Sequence, residues 1–526
     1  MKLKNIITTS TLAVLLIAVA GCSKEKFDIN SNPDAVTDIS VTPSVLLPGA
    51  LQSTSTNIVS EWWFIGWWMG HGARSGSYQS LNEEETYAFT NDFHSAIWTG
   101  LYANANNYNI MITKAKEKGA GTYEAIGRIM KSHNFQILTD IYGNIPYTDA
   151  FKGTTAPTPA YDKSVDIYNA IFADLDAAIV LLNDAAASDE AKNPDIAIAD
   201  LVFEGNTTSW IKFANTLRLR MLVHLHNGIN TQSVAAGVDV AAQVAKITSD
   251  GFLGAGESAH LNPGFTGTKP SPYFRIYNTS ESGTGSQRDY LRASLYAIDY
   301  YKWNSDPRID QFYESPNGTT SGQAGIIFGT PSSSTAPIGS ALSSVRGLGL
   351  SPDGASSRAW ILTSVESLFL QAEARERGII TTGSSAGSLL TAAVRESFVW
   401  LGLTATDADN YLAYNATYPD VDYSAEALAE GLPAGGLYTI LSQKWFAMNS
   451  IAPYETWTDF RRTDIVYGIG SGYDAGPTIS IDPNNTKESI PVRLFYPQNE
   501  YNYNATNVGK EGTLNVFTGR LFWDLN

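Results

Sequence analysis

Apolar residues recur at alternating three- and four-residue spacing in several stretches of the chain, which places them on one face of an α-helix. Trp98, Leu101, Ala105, Tyr108, Ile112 and Ala115 form one stripe, and Ile126, Met130, His133 and Ile137 form a second. Gly119-Ala120-Gly121 lies between them and predicts a turn, so the two should fold as an antiparallel helical hairpin. Val165, Tyr168, Phe172, Leu175, Ile179 and Leu182 predict a third helix. Phe213, Leu217, Met221 and Leu225 predict a fourth, capped by Thr208 or Ser209. Leu362, Val365, Phe369 and Ala372 predict a fifth, and further helices are expected over 389–401 and 438–449. Stacked hairpins of this kind make a mainly α protein with a tetratricopeptide-like superhelical scaffold, although no clean sequence repeat is present.

Between residues 251 and 358 the periodicity gives way to Gly, Ser, Thr and Pro with scattered aromatics. The expected organisation is therefore a helical scaffold over 43–250, a loop-rich insertion over 251–358, and C-terminal helices with a wrapping tail over 359–526. Long loops inside a compact protein carry function, and the aromatics interleaved here make the insertion a ligand-binding candidate.

The N-terminus changes the picture. Lys2 and Lys4 precede an apolar run from Leu12 to Ala20, and Val19-Ala20-Gly21 sets small residues before Cys22. This is a lipoprotein signal peptide over 1–21, too short to be a retained membrane span. Cleavage leaves Cys22 to carry lipid, and residues 22–42, rich in Asn, Asp, Ser and Pro, read as a tether. Losing Lys2 and Lys4 takes the net charge from −17 to −19. That balance argues against a nucleic-acid partner. Because Cys22 is the only cysteine, no intramolecular disulfide and no multi-cysteine metal site is expected.

Catalytic motifs find little support. Gly383-Ser384-Ser385-Ala386-Gly387 has the spacing of a hydrolase nucleophile elbow, but the last histidine, His260, lies upstream of Ser385, whereas that fold needs its histidine downstream. A turn before the next helix is the expected reading. Tyr467-Gly468-Ile469-Gly470-Ser471-Gly472 has no strand–helix–strand unit around it and reads as a loop. His224 and His226 point to different faces of a helix, so a protein-held zinc is not expected, and His133 should be a hydrogen-bonded core residue. No metal, no cofactor and no general acid–base pair is nominated.

Several blocks in order carry a family resemblance: WTGLYANANNYNIMITKAKEKG from Trp98, LTDIYGNIPYTDAF from Leu138, YDKSVDIYNAIFADLDAAIVLL from Tyr161, and DLVFEGNTTSWIKFANTLRLRML from Asp200. NSDPRID from Asn304, SVESLFLQAEARERG from Ser364, LSQKWFAMNSIAPYETWTDFRRT from Leu441 and IPVRLFYPQNEYNYNATNV from Ile490 complete them. With the lipobox before them, the chain resembles the SusD/RagB family of nutrient-binding outer-membrane lipoproteins of Bacteroidota, in its SusD-like branch. The resemblance implies a non-catalytic surface protein that captures oligosaccharides and delivers them to a SusC-like TonB-dependent transporter. Peptide capture, as in RagB relatives, is the alternative, and a surface glycoside hydrolase a more distant one.

A neutral sugar is held by aromatic faces and by hydrogen bonds to its hydroxyls, so ligand-binding candidates are aromatics away from the helical stripes. The densest run is Glu61 to His71, in which Trp63, Trp67 and Gly70 share one helical face and Trp68 and His71 another. Trp67, Trp68, His71, Arg74 and Tyr78 are the first candidate set. Tyr273, Phe274, Tyr277 and Arg288 in the insertion are the second, with Trp303 and Trp360 at its borders.

Overall fold

Helices form over every stretch where the spacing predicts one. In the computed structural model the main helices are α1 (Pro43–Ser60), α2 (Trp63–Trp68), α3 (Ala96–Lys118), α4 (Gly121–Tyr142), α5 (Ser164–Leu182), α6 (Thr207–His224), α7 (Leu295–Trp303), α8 (Ser364–Glu376), α9 (Ala386–Trp400), α10 (Ala405–Tyr414), α11 (Gly436–Met448) and α12 (Pro453–Thr463), of which α3 to α6, α8, α9 and α11 are the ones the stripes predict. The structure describes residues 41–526 other than 61, 80–81, 185–186, 188, 231, 279–288, 317–321, 334, 347–353, 427–432 and 473–475. The expected signal peptide, Cys22, all but the last two residues of the expected tether, and Arg288 lie outside the described residues. Residues 43–526 fold as one unit.

The predicted hairpin is α3 against α4, and the layering continues with α5 on α4, α6 on α5, α8 on α6, and α9 and α11 on α8. Pairwise stacking of successive antiparallel helices is the tetratricopeptide-like arrangement expected from the stripes. The first pair is close because Gly127 of α4 has no side chain: a Cβ there would lie 2.8 Å from Cγ1 of Ile112 and 3.0 Å from Cε of Met111. At the end of α4 the chain turns at Gly143, whose φ of +79° is a conformation that side-chain-bearing residues avoid.

Three local expectations are corrected. The cap of α6 is Asn206, whose Oδ1 accepts from the Ser209 amide at 3.0 Å, so Thr208 and Ser209 sit inside the first turn. Leu362 ends a strand, and α8 begins after Thr363, whose hydroxyl accepts from the Glu366 amide at 3.1 Å. His133 is buried on α4 as expected, but neither ring nitrogen has a hydrogen-bond partner among the described residues. Ser385, by contrast, is the helix-entry residue the turn reading implies, capping α9 through the Ser388 amide at 3.2 Å.

Inside the helical stack lies a buried ionic network. Arg462 of α12 grips Glu373 of α8 with both terminal nitrogens, at 2.6 and 2.7 Å, and also reaches Asp459 at 2.6 Å. Lys444 of α11 lies 3.0 Å from Asp459, and Arg220 of α6 lies 2.6 Å from Glu366. His224 bridges Asp140 of α4 and Glu455 of α12 at 3.0 and 3.1 Å. Burial alone would lower the His224 pKa, but the two carboxylates outweigh it and raise it. Arg462 and Arg377 hold the Glu373 carboxyl well below the usual carboxylate range against the opposing effect of its burial. These charges fix how α4, α6, α8, α11 and α12 sit on one another.

The loop-rich insertion contains more order than its composition predicts. Strands β1 (Gly72–Arg74), β3 (Leu291–Ala293), β5 (Ser344–Val345) and β4 (Tyr313–Glu314) form an antiparallel sheet in that spatial order, with Gly72 opposite Ala293 and Arg292 opposite Ser344. A second pair, β2 (Ala259–Leu261) and β6 (Ala359–Leu362), closes its two ends. Pairing β1 with β3 brings the aromatic run of α2 against the insertion. The tail packs on α4: the Leu494 amide donates to the Ile141 carbonyl at 3.1 Å, and Trp523 Nε1 donates to Asp140 at 2.7 Å.

Candidate ligand-binding pocket

α2 is short and almost wholly apolar, and its aromatic residues divide between two sides. Phe64 and Trp68 face inward, where Trp68 meets Trp457 of α12 at 5.8 Å and Phe93 at 6.1 Å. Trp63 and Trp67 face the insertion, their rings edge to face at 4.5 Å, with Tyr277 and Tyr290 each 6.4 Å from Trp63. Here the chain forms a pocket with a cavity volume of about 40 Å³. Trp67, His71 and Asn449 are buried around it, Tyr273 and Leu291 form a wall from the insertion, and half-buried Trp63, Val345 and Ser450 stand at its rim. Among the described residues, no Asp or Glu lines it.

The two predicted sets of residues therefore meet, but only in part. Trp67, His71 and Tyr273 line the pocket, and Tyr277 packs behind Trp63 and Tyr273. Trp68, expected to face ligand, is core, because a six-residue helix wedged between the scaffold and the insertion must bury both faces. Arg74 is likewise buried: its Nε donates to Glu85 at 2.8 Å and its Nη2 to the Thr330 carbonyl at 2.6 Å, so its donors tie loops together. Tyr78 is half-buried, edge-on to Tyr290 at 5.2 Å, and Phe274 is half-buried without lining the pocket. Trp303 packs on Tyr418 at 5.8 Å, at the end of α7. Trp360 is buried in β6 and donates to the Ile451 carbonyl at 3.1 Å.

Sequence reasoning missed Asn449, Ser450 and Pro453. They join α11 to α12, and the available signal was an Asn-Ser pair followed by a helix-starting proline. It also missed an open groove of about 600 Å³ between the loop at 86–89 and the tail, where Phe89 and Phe517 stack at 6.0 Å and Lys487 lies 5.5 Å from the Phe517 ring. Among the described residues, no cluster of three His, Cys, Asp or Glu side chains is placed to hold a metal, and no helix is long and apolar enough to cross a membrane.

The described residues thus form a stacked-helix body that supports a pocket lined by aromatic side chains. The family profile described as SusD-like, "Starch-binding associating with outer membrane", matches residues 35–497, and the chain belongs to that family. Among solved structures it is similar to a chitin-binding SusD homologue from Flavobacterium johnsoniae, at 22% identity and a TM-score of 0.66, over 91% of this chain and 99% of that one. A SusD homologue from Bacteroides uniformis matches at 24% identity and a TM-score of 0.68, over 91% and 99%. One from Bacteroides vulgatus matches at 20% and 0.70, over 91% and 98%. No curated protein matches the chain.

Proposed function

We propose that the protein is a non-catalytic nutrient-binding lipoprotein of the outer membrane, anchored through Cys22, facing outward, that captures neutral oligosaccharides and passes them to a SusC-like TonB-dependent transporter. The observation that carries the ligand class is the pocket itself: indole and phenol rings around a small cavity, with no carboxylate among the described residues that line it. Such walls suit the apolar faces of uncharged sugars and offer no pair of acids for glycosidic cleavage. Membership of a family described as starch-binding and associated with the outer membrane, and the fold shared with a chitin-binding homologue, support the same reading. The lipobox before Cys22 supports the anchor. Calorimetric titration of the purified protein against neutral oligosaccharides should give saturable binding without new reducing ends. Trp63→Ala at the rim should weaken it roughly tenfold, ~1.4 kcal/mol. Turnover of the sugar, or no affinity for any glycan, would overturn the proposal.

A further inference from the structure

Across α2 from the pocket, the groove between the loop at 86–89 and the tail has the size and surface of a second binding site. The pocket, at about 40 Å³, has room for a few waters or for one group projecting from a ligand, whereas the groove, at about 600 Å³, falls within the range of about 300–1,000 Å³ usual for ligand sites. The two lie on different sides of one helix. Trp63 and Trp67 line the pocket, while Trp68, on the inner side of α2, packs 5.7 Å from Phe89 and 6.4 Å from Tyr87, which line the groove.

The floor of the groove is aromatic and braced from beneath. The Phe89 ring lies 6.0 Å from Phe517 and 5.9 Å from Tyr87, inclined to them by only 26° and 29°. Phe93 and Trp68 back the Phe89 ring at 4.5 and 5.7 Å, and the Ser480 amide donates to the Tyr87 hydroxyl at 3.4 Å. Phe89, Phe517 and the adjoining Phe495 are half-buried and still present part of their surface to solvent. The rim is polar, with Asn484, Thr486, Lys487, Thr513 and Asn515 all exposed. Two of these are already oriented by their own loops: Asn484 Nδ2 donates to Asp482 at 3.0 Å, and Asn515 Oδ1 accepts from the Phe517 amide at 2.8 Å. Each side-chain amide is thereby fixed with its other polar atom to spare, an acceptor on Asn484 and a donor on Asn515.

Four ligand classes can be compared with that surface. An acyl chain needs an enclosed apolar cavity, and this groove is open with a polar rim. An anion would find a single ammonium, Lys487, among the described lining residues. An extended peptide added as a strand needs a sheet edge, and no described lining residue belongs to a sheet. An uncharged sugar chain meets both parts of the surface, with its flat apolar faces on the rings and its hydroxyls at the amides and hydroxyls of the rim. We infer that the groove is a second carbohydrate site, separate from the pocket, in which successive rings of an uncharged oligosaccharide lie along Phe89 and Phe517. This rests on the glycan-binding reading and adds a site to it.

The test is calorimetric titration of the full mature chain with maltotriose, cellotriose and laminaritriose in turn. At least one of these sugars is expected to fill two sites per chain. Phe517→Ala should weaken one of them by roughly fivefold or more, and Trp63→Ala should weaken the other. Thr486→Trp, at an exposed position, fills the groove without touching the core and should remove the same site as Phe517→Ala. One site that Thr486→Trp abolishes and Trp63→Ala spares upholds the groove and overturns the pocket as a glycan site. One site that Trp63→Ala abolishes and Thr486→Trp spares overturns the groove and leaves the proposed function standing. A single site weakened by all three variants overturns the separateness of the groove from the pocket. Hexaproline is the fourth probe: if it binds more tightly than every sugar and is lost with Thr486→Trp, the carbohydrate assignment falls in favour of a peptide groove. No affinity for any of the three sugars overturns the second site, and no affinity for any glycan removes the proposed function itself.

Discussion

His133 offers the sharpest check on the physical account of the scaffold. It is fully buried on α4 with the Phe213 ring 6.1 Å away, and neither ring nitrogen is hydrogen-bonded among the described residues. Burial first, and the nearby Arg220 guanidinium second, lower its pKa from 6.5 to about 3. A group depressed in this way binds protons more readily in the unfolded chain, so its stability contribution is intact above pH 6.5 and falls away as the pH drops towards 3. At about pH 5 the unfolded state gains RT ln(1 + 10^1.5), or ~2 kcal/mol, that the folded state does not share. Any folded value below about 4 gives nearly the same figure. His133→Leu removes the titrating group while keeping a side chain of similar volume. Measured by urea unfolding, the stability of His133→Leu relative to wild type should rise by ~2 kcal/mol between about pH 7.5 and about pH 5. Because only the change with pH is compared, a constant packing difference cancels. If the two proteins lose stability in parallel on acidification, His133 is either hydrated or already protonated when folded, and the argument from its burial fails.

Glu373→Gln strands the Arg462 and Arg377 guanidiniums in the core, and chemical denaturation should show a loss of ~3–5 kcal/mol. His224 titrates in the opposite sense to His133: with a raised pKa, its contribution is complete below 6.5 and is lost as the pH rises through the folded value. His224→Phe should therefore flatten the alkaline side of a melting-temperature profile. Trp68→Ala should cost ~3–5 kcal/mol of stability, whereas Trp63→Ala at the rim should mainly weaken ligand binding, as seen by comparing melting with titration. Gly127→Val should destabilise by ~1–3 kcal/mol, because its side chain would enter space held by Ile112 and Met111.

The scaffold was legible because its signal is local. The stripes of α3, α4 and α5 repeat within a turn or two, so spacing alone locates each helix and its buried side. The pocket was half legible for the opposite reason. The aromatic run marked α2 as unusual, yet nothing local to it separates Trp67 from Trp68, since that depends on what packs against each side. Arg74 and Trp360 misled because an arginine or tryptophan in a sequence does not disclose whether its polar atoms are already occupied. Asn449 and Ser450 were invisible because they look like any helix connection until α2 is placed beside them. The short strands escaped because runs of two to four residues carry too little alternation to register.

The pairing of Gly72 with Ala293 joins positions roughly 220 residues apart, and the α11–α12 connection that completes the pocket comes later still. As the chain is made from its N-terminus, the tryptophans of α2 are present long before any of the surfaces that will shelter them. For that interval they form a sticky apolar segment in need of a holding partner. A chain truncated before residue 453 lacks part of the pocket wall, so the pocket is complete only in the finished and fully folded molecule.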